Sequence, residues 1–292
     1  MKPIIALILA AGTSIALARP YPTCAQTAQQ PMFPLSHHNP IVIAHRADHE
    51  HAPENTLAAI ADAIRCDVDY VELDLRTTRD GHLVLSHDAS VDRMTGAHGA
   101  ITSLTFAEIQ PLIVHNPGTP AAGDHIPEFR DALRACKDKV NIYLDFKDAD
   151  VAETWRQIRA AHMERQVVVY LNKPGQYEQW RAIAPSIPLM TSLPDDHASK
   201  EQIDSFLQKK KIAVLDNVYD TTLQRYVLQQ GVYLWLDAES DHETPAIWSA
   251  LLRQNIQGIQ TDHPEELLAW LSRRNTPSAS TQTGAAGKTP GI

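Results

Sequence analysis

Between residues 41 and 262 short apolar runs alternate with longer amphipathic segments, and this rhythm constrains the fold more than any other feature. The runs fall at 41–45, 70–76, 140–147, 166–171, 187–192, 212–217, 231–237 and 256–262. They read as strands. The stretches between them space apolar residues three and four apart, as in Leu57, Ile60, Ala61 and Ile64, or Ile247, Leu251 and Leu252, which predicts helices. Repeated strand–helix units build a parallel sheet. The number of units predicts an α/β (β/α)8 TIM barrel rather than an open doubly wound sheet. No Gly-x-Gly-x-x-Gly string follows any strand, so a dinucleotide fold loses its main support.

One place breaks the rhythm. Only Thr77–Gly81 separates the run 70–76 from a further apolar run at 82–87, too little chain for a helical crossover. Arg79-Asp80-Gly81-His82 predicts a tight hairpin in which Gly81 supplies a positive φ. If Asp80-Gly81 form a two-residue loop, His87 lies opposite Asp74.

Chemistry concentrates at the ends of these strands. Glu72 and Asp74 are two apart on one strand and share a face, while Val71, Leu73 and Leu75 take the other. In a barrel that face is the interior, near the C-terminal mouth where active sites of this fold collect. Neighbouring buried carboxylates repel and require a cation or a shared proton. Asp145 adds a third, on the face it shares with Asn141, Tyr143 and Lys147. Three oxygen donors without a thiolate suit Mg²⁺ or Ca²⁺ rather than zinc. Lys147 is placed either to meet an anionic substrate oxygen or to pair with Asp145. Arg46 ends the first strand and offers a planar fork for phosphate oxygens. His45 and His87 exchange protons near neutral pH. His37, His38, His49 and His51 read as loop residues.

The formal net charge of −9 argues against a general nucleic-acid binder, which needs Lys and Arg to neutralise phosphates. At 292 residues with 43% hydrophobic content, one large barrel domain over 41–274 accounts for the core. Residues 1–25 read as a secretory signal peptide, with Lys2, an apolar stretch from Ile4 to about Ala18, and cleavage near 18 or 25. No membrane span is expected once it is removed, and the protein is expected to be periplasmic or secreted. Residues 26–40 read as a lead-in without fixed structure, and 275–292 as a disordered tail. Cys66 and Cys136 either form a disulfide in an oxidising compartment or remain free thiols on helices.

Taken in order, His45-Arg46, Pro53-Glu54-Asn55-Thr56, Glu72-Leu73-Asp74, Asp80-Gly81, His87-Asp88, Asp92-Arg93, Asp145-Phe146-Lys147 and Thr261-Asp262-His263-Pro264 resemble the glycerophosphodiester phosphodiesterase family. That family is part of the phospholipase C-like group of barrels. The resemblance covers nearly the whole predicted body. It implies His45 and His87 as general acid and base, with Glu72, Asp74 and Asp145 holding one divalent cation. It also implies Arg46 and Lys147 on the substrate phosphate, and Glu54 close to the metal as a ligand or directly behind one. The implied reaction turns a small-molecule glycerophosphodiester into glycerol 3-phosphate and an alcohol such as choline or ethanolamine, through a cyclic phosphate.

Four positions depart from the pattern. Ala47 and Asp67 stand where glycines are common, Asp145 replaces a usual glutamate, and Leu236-Asp237-Ala238 replaces Thr-Val-Asn after Trp235, a candidate substrate-pocket residue. Competing readings are a phospholipase D-like or lyase enzyme acting on a lysophospholipid, and a non-catalytic exported phosphodiester-binding protein.

Overall fold

The computed structural model describes residues 33–34, 36–115, 123–239 and 242–275. The predicted signal peptide, the first part of the lead-in and the tail from 276 lie outside the described residues. Eleven strands occur among those described: β1 (Ile41–Ala44), β2 (Tyr70–Thr77), β3 (Leu83–Leu85), β4 (Ile113–Val114), β5 (Asp124–His125), β6 (Asn141–Asp148), β7 (Val167–Leu171), β8 (Leu189–Thr191), β9 (Val214–Leu215), β10 (Tyr233–Asp237) and β11 (Gly258–Thr261). Eight of them pair in parallel in the order β1-β11-β10-β9-β8-β7-β6-β2. Pairing of Ile43 with Tyr70 and of Ala44 with Val71 joins β2 back to β1 and closes the ring. The predicted TIM barrel is therefore present, each strand lying at its expected place in the sequence.

Local signals set the helix starts. Thr56 precedes the helix Leu57–Arg65 and its side chain accepts from the Ala59 N–H. Asp220 does the same for Thr222 and Leu223 at the head of Thr221–Gln229. Each satisfies backbone donors that have no partner within the helix. Alternation along the strands then sorts the side chains into two cores. Val42, Leu73, Leu144, Val169, Leu189, Leu215 and Ile259 point outward against the helices. Ile43, Tyr70, Tyr143, Val168, Met190, Val214 and Trp235 point inward and fill the barrel.

Trp235 is 1% exposed and packs on Tyr70 and Phe33, with ring centroids 4.9 and 5.6 Å away. The space beside it is a gap left by Gly258, where a β-carbon would come within 2.6 Å of the indole. Trp235 is thus a filler of the barrel interior.

The hairpin after β2 is real, but its register differs by one residue from the expected one. Leu75 pairs with Leu85 and Thr77 with Leu83, while Thr78 N–H donates to the His82 carbonyl at 2.9 Å. The loop is three residues, Arg79-Asp80-Gly81, with Gly81 at φ 86°. Asp74 therefore faces Ser86, whose N–H donates to its carbonyl at 3.0 Å, and His87 sits one position beyond. The Thr78 hydroxyl explains the longer loop. It donates to Asp80 at 2.6 Å and accepts from the His82 N–H at 3.0 Å, which stabilises the wider turn.

The described end of the lead-in is tied to the barrel. Asp69 accepts from the Val42 and His38 N–H groups at 2.8 and 3.1 Å, so its carboxylate anchors residues that sequence reading left loose. Cys66 and Cys136 are both free, which removes the disulfide expectation; only Cys136 is fully buried. No described helix is long and apolar enough to cross a membrane.

Gly258→Ala is expected to lower the unfolding free energy by about 1–3 kcal/mol, the usual cost of overfilling a packed interior. Urea denaturation followed by tryptophan fluorescence measures it. An unchanged midpoint would show that the Trp235 ring is free to move away from β11.

Candidate active site

Above the apolar interior layer, the next inward-facing positions are polar, and they meet at the C-terminal mouth. Parallel pairing sets Asp74 beside Asp145 and Glu72 beside Tyr143. Oxygens of Glu72, Asp74 and Asp145 lie within 4.8 Å of one another, with Glu72 2% and Asp74 1% exposed. Burial, and then the charge of Asp74, push the carboxyls of Glu72 and Asp145 above their ordinary range.

Lys147 donates to Asp74 at 3.1 Å and also to Asp145, and Asn172 donates to Asp145. Glu72 is served on one oxygen only: Oε2 accepts from the Arg46 N–H at 2.8 Å, while Oε1 is enclosed and has no hydrogen-bond partner among the described residues. An unpaired, buried carboxylate oxygen facing two more carboxylates fits the donor set of a hard divalent cation.

The turn after β1 serves this cluster with its backbone. Arg46 and Ala47 adopt φ of 49° and 63°, which turns the Ala47 N–H onto the Glu72 carbonyl at 3.0 Å. Glycine is favoured in such a conformation, and alanine accepts it at a cost of about 1–2 kcal/mol, which rationalises the departure at Ala47. Asp67, with φ 65°, is a residue type that tolerates this region. Asn55, at φ 58°, spans the gap to β2: its amide donates to the Asp74 side chain at 2.7 Å and accepts from the Asp74 N–H at 3.0 Å.

His45 and His87 occupy different settings. His45 is held through Nδ1 by Asp262 at 2.7 Å and Glu239 at 2.9 Å. Burial works against its charge, but hydrogen bonds to Asp262 and Glu239 win, and its pKa is pushed up to about 11. His87 lies past the end of β3, its Nδ1 2.9 Å from Asp88 and its side chain 37% exposed. Arg93, aided by His87, holds Asp88 down to about 2 despite partial burial.

Glu54 accepts from Arg46 at 3.1 Å and from Arg93 at 2.8 and 3.0 Å. A continuous chain of contacts thus runs His87–Asp88–Arg93–Glu54–Arg46. Glu54 lies in that chain, holding both arginines, and is not one of the three clustered carboxylates.

Several participants carried no role in the sequence reading. Asp262 and Glu239 orient His45; closure of β11 on β1 puts the end of one strand beside the other, with His45 N–H on the Thr261 carbonyl at 3.0 Å. Arg76, on the face of Glu72 and Asp74, donates to the carbonyls of Ser86 and His87 at 3.1 Å and pairs with Asp148. His49, expected to be a loop residue without a role, is in a loop yet touches the site: its Nδ1 is 2.9 Å from the His45 carbonyl and its Nε2 3.4 Å from Asp262. The short loop after β1 folds back over the mouth, which sequence spacing does not reveal.

Comparison with known proteins agrees with this geometry. Residues 45–266 match the model of the glycerophosphoryl diester phosphodiesterase family. The Bacillus subtilis protein YhdW, which bears a glycerophosphodiester phosphodiesterase name, is 27% identical over 240 residues, 78% of this chain and 96% of its own. A glycerophosphodiester phosphodiesterase structure from Agrobacterium tumefaciens superposes with a TM-score of 0.68 at 22% identity, covering 78% of this chain and 98% of that one. A phosphodiesterase from Oleispira antarctica, solved with sn-glycerol-3-phosphate, gives 0.69 at 20% identity over 80% and 97%. The chain belongs to the glycerophosphoryl diester phosphodiesterase family and is a phosphoric diester hydrolase.

Proposed function

We propose that this enzyme hydrolyses glycerophosphodiesters to glycerol 3-phosphate and an alcohol, with His45 and His87 as the acid–base pair and Glu72, Asp74 and Asp145 as the seat of one divalent cation, Mg²⁺ or Ca²⁺. The observation that carries the reading is the unpartnered Glu72 oxygen in a cluster of three carboxylates, with Lys147 and Arg46 immediately beside it. When bound, the cation polarises a phosphoryl oxygen as a Lewis acid.

Arg46 and Lys147 orient the remaining phosphate oxygens through charge-assisted hydrogen bonds. His45 stays charged because Asp262 and Glu239 hold its Nδ1. Its Nε2 proton is free to pass to the departing alkoxide, a far stronger base. His87, more open to solvent and fixed by Asp88 and by the grip of Arg76 on its backbone, accepts the proton of the neighbouring glycerol hydroxyl as that oxygen attacks phosphorus. Water then opens the cyclic phosphate with the two roles reversed. The N-terminal segment 1–25 supports an exported enzyme, periplasmic or secreted.

His45→Ala and His87→Ala are each expected to lower kcat at least about 100-fold in folded protein, the scale of lost acid–base help. Steady-state assays on a glycerophosphodiester measure this, and a near-wild-type rate in either variant removes that residue from the mechanism. Chelation should abolish turnover, with Mg²⁺ or Ca²⁺ restoring it in the wild type and far less in Asp74→Asn; a rate indifferent to chelator would sink the cation site.

Asp262→Asn should shift the alkaline limb of the pH–rate profile toward neutral pH. Removing a carboxylate that raises the His45 pKa lets the imidazolium lose its proton sooner. Phosphorus NMR during turnover should show a cyclic species that decays; its persistence as the final product would favour a lyase.

A further inference from the structure

The reaction centre uses one side of the mouth, formed by β1, β2 and β6. The adjoining run of consecutive strands, β11, β10 and β9, supplies Asp262 and Glu239 to His45 and also carries polar groups that the proposed chemistry leaves unused. Asp216 follows β9, Asp237 ends β10, and Gln260 lies on β11, directly paired with Asp237. Alternation aims all three inward, because Leu215, Leu236 and Ile259 pack outward among the helix-facing core.

Two of these groups each keep one buried oxygen without a partner among the described residues. Gln260 is 6% exposed; its amide nitrogen donates to Glu239 at 3.0 Å, leaving its buried Oε1 without a donor among the described residues. Asp216 accepts from Ser192 at 3.2 Å on Oδ2 and has the Tyr170 hydroxyl beside it, while its enclosed Oδ1 has no hydrogen-bond partner among the described residues. Asp237 stands between them on the middle strand. Its side chain is exposed at the mouth, and desolvation there, followed by the charges of Glu239 and Asp216, raises its pKa. The tryptophan-containing segment here reads Leu236-Asp237-Ala238 in place of Thr-Val-Asn, so the Asp237 carboxylate is an addition to the pattern this chain resembles.

Resting on the hydrolase reading above, we propose that Asp216, Asp237 and Gln260 form the pocket for the departing alcohol and select one bearing a primary ammonium group. Three acceptors on adjoining strands, two of them with a buried oxygen that has no donor, match the three N–H donors of such a group. A quaternary ammonium supplies charge without donors, and a neutral polyol supplies donors without charge, so each leaves part of the pocket unsatisfied. Adjoining parts of the mouth then match a zwitterionic diester: Arg46 and Lys147 face its phosphate, and the carboxylates face its amine.

The test compares kcat/KM of the full chain, assayed with Mg²⁺ or Ca²⁺, for glycerophosphoethanolamine, glycerophosphocholine and glycerophosphoglycerol. The ethanolamine diester should be favoured over each of the others by at least about tenfold, the scale of one charge-assisted contact. Asp237→Asn should bring the ratios toward one, and Gln260→Leu should move them the same way.

Equal use of the three diesters by the wild type, or ratios preserved in Asp237→Asn, overturns the proposal while leaving the hydrolase reading intact. Absence of turnover on all three overturns that reading instead. Should Asp237→Asn fail to fold, free ethanolamine must still inhibit the wild type more strongly than 1-propanol does, and equal inhibition counts against the pocket. Binding of a second equivalent of Mg²⁺ at Asp237, without diester preference, would assign the pocket to an inorganic ion and overturn the proposal.

Discussion

Crowding of like charge at the mouth of the barrel is the constraint on which the rest of the site depends. Parallel pairing of β2 with β6 puts Asp74 beside Asp145, and alternation brings Glu72 into the same space. Buried carboxylates this close are costly unless positive charge or hydrogen-bond donors surround them. The surrounding structure supplies both: Lys147 between two of them, the Arg46 backbone on Glu72, and the Asn55 amide on Asp74. The strained turn after β1 follows from the same need, since the left-handed conformations at Arg46 and Ala47 bring backbone N–H groups onto Glu72. One Glu72 oxygen is left over, and the proposed cation site rests on that unmet demand.

Around this centre, salt bridges hold the two histidines in different settings. His45 is gripped by two carboxylates and stays charged. His87 hangs on a longer series through Asp88, Arg93 and Glu54 to Arg46. That asymmetry is what the proposed division of roles between the two histidines rests on.

Strand periodicity and strand count were legible in the residues because burial on the barrel strands writes itself directly into apolar runs. The same holds for Glu72, Asp74, Asp145 and Lys147, whose common face follows from their spacing of two. The hairpin was legible as a hairpin, but its loop length was not. The Thr78 hydroxyl bonding to Asp80 and His82 tips a choice between two turns of similar energy, and pattern alone does not weigh such a contact. Glu54 illustrates a different gap: the family resemblance implied a place close to the metal, but its contact with Arg93, 39 residues away, was not readable from the chain.

By itself, then, the sequence determined the barrel, its inward-facing carboxylates and the residues able to exchange protons or bind phosphate, since each of these depends on local spacing and side-chain chemistry. Only the tertiary structure decided which groups meet. Closure of β11 on β1 carries Asp262 to His45 across 217 residues, and the fold-back of the loop after β1 brings His49 to the same carboxylate. The ring order of the strands sets Asp216, Asp237 and Gln260 on three consecutive strands next to β1. Contacts of that kind depend on which strand neighbours which around a closed ring, and no local pattern along the chain encodes it.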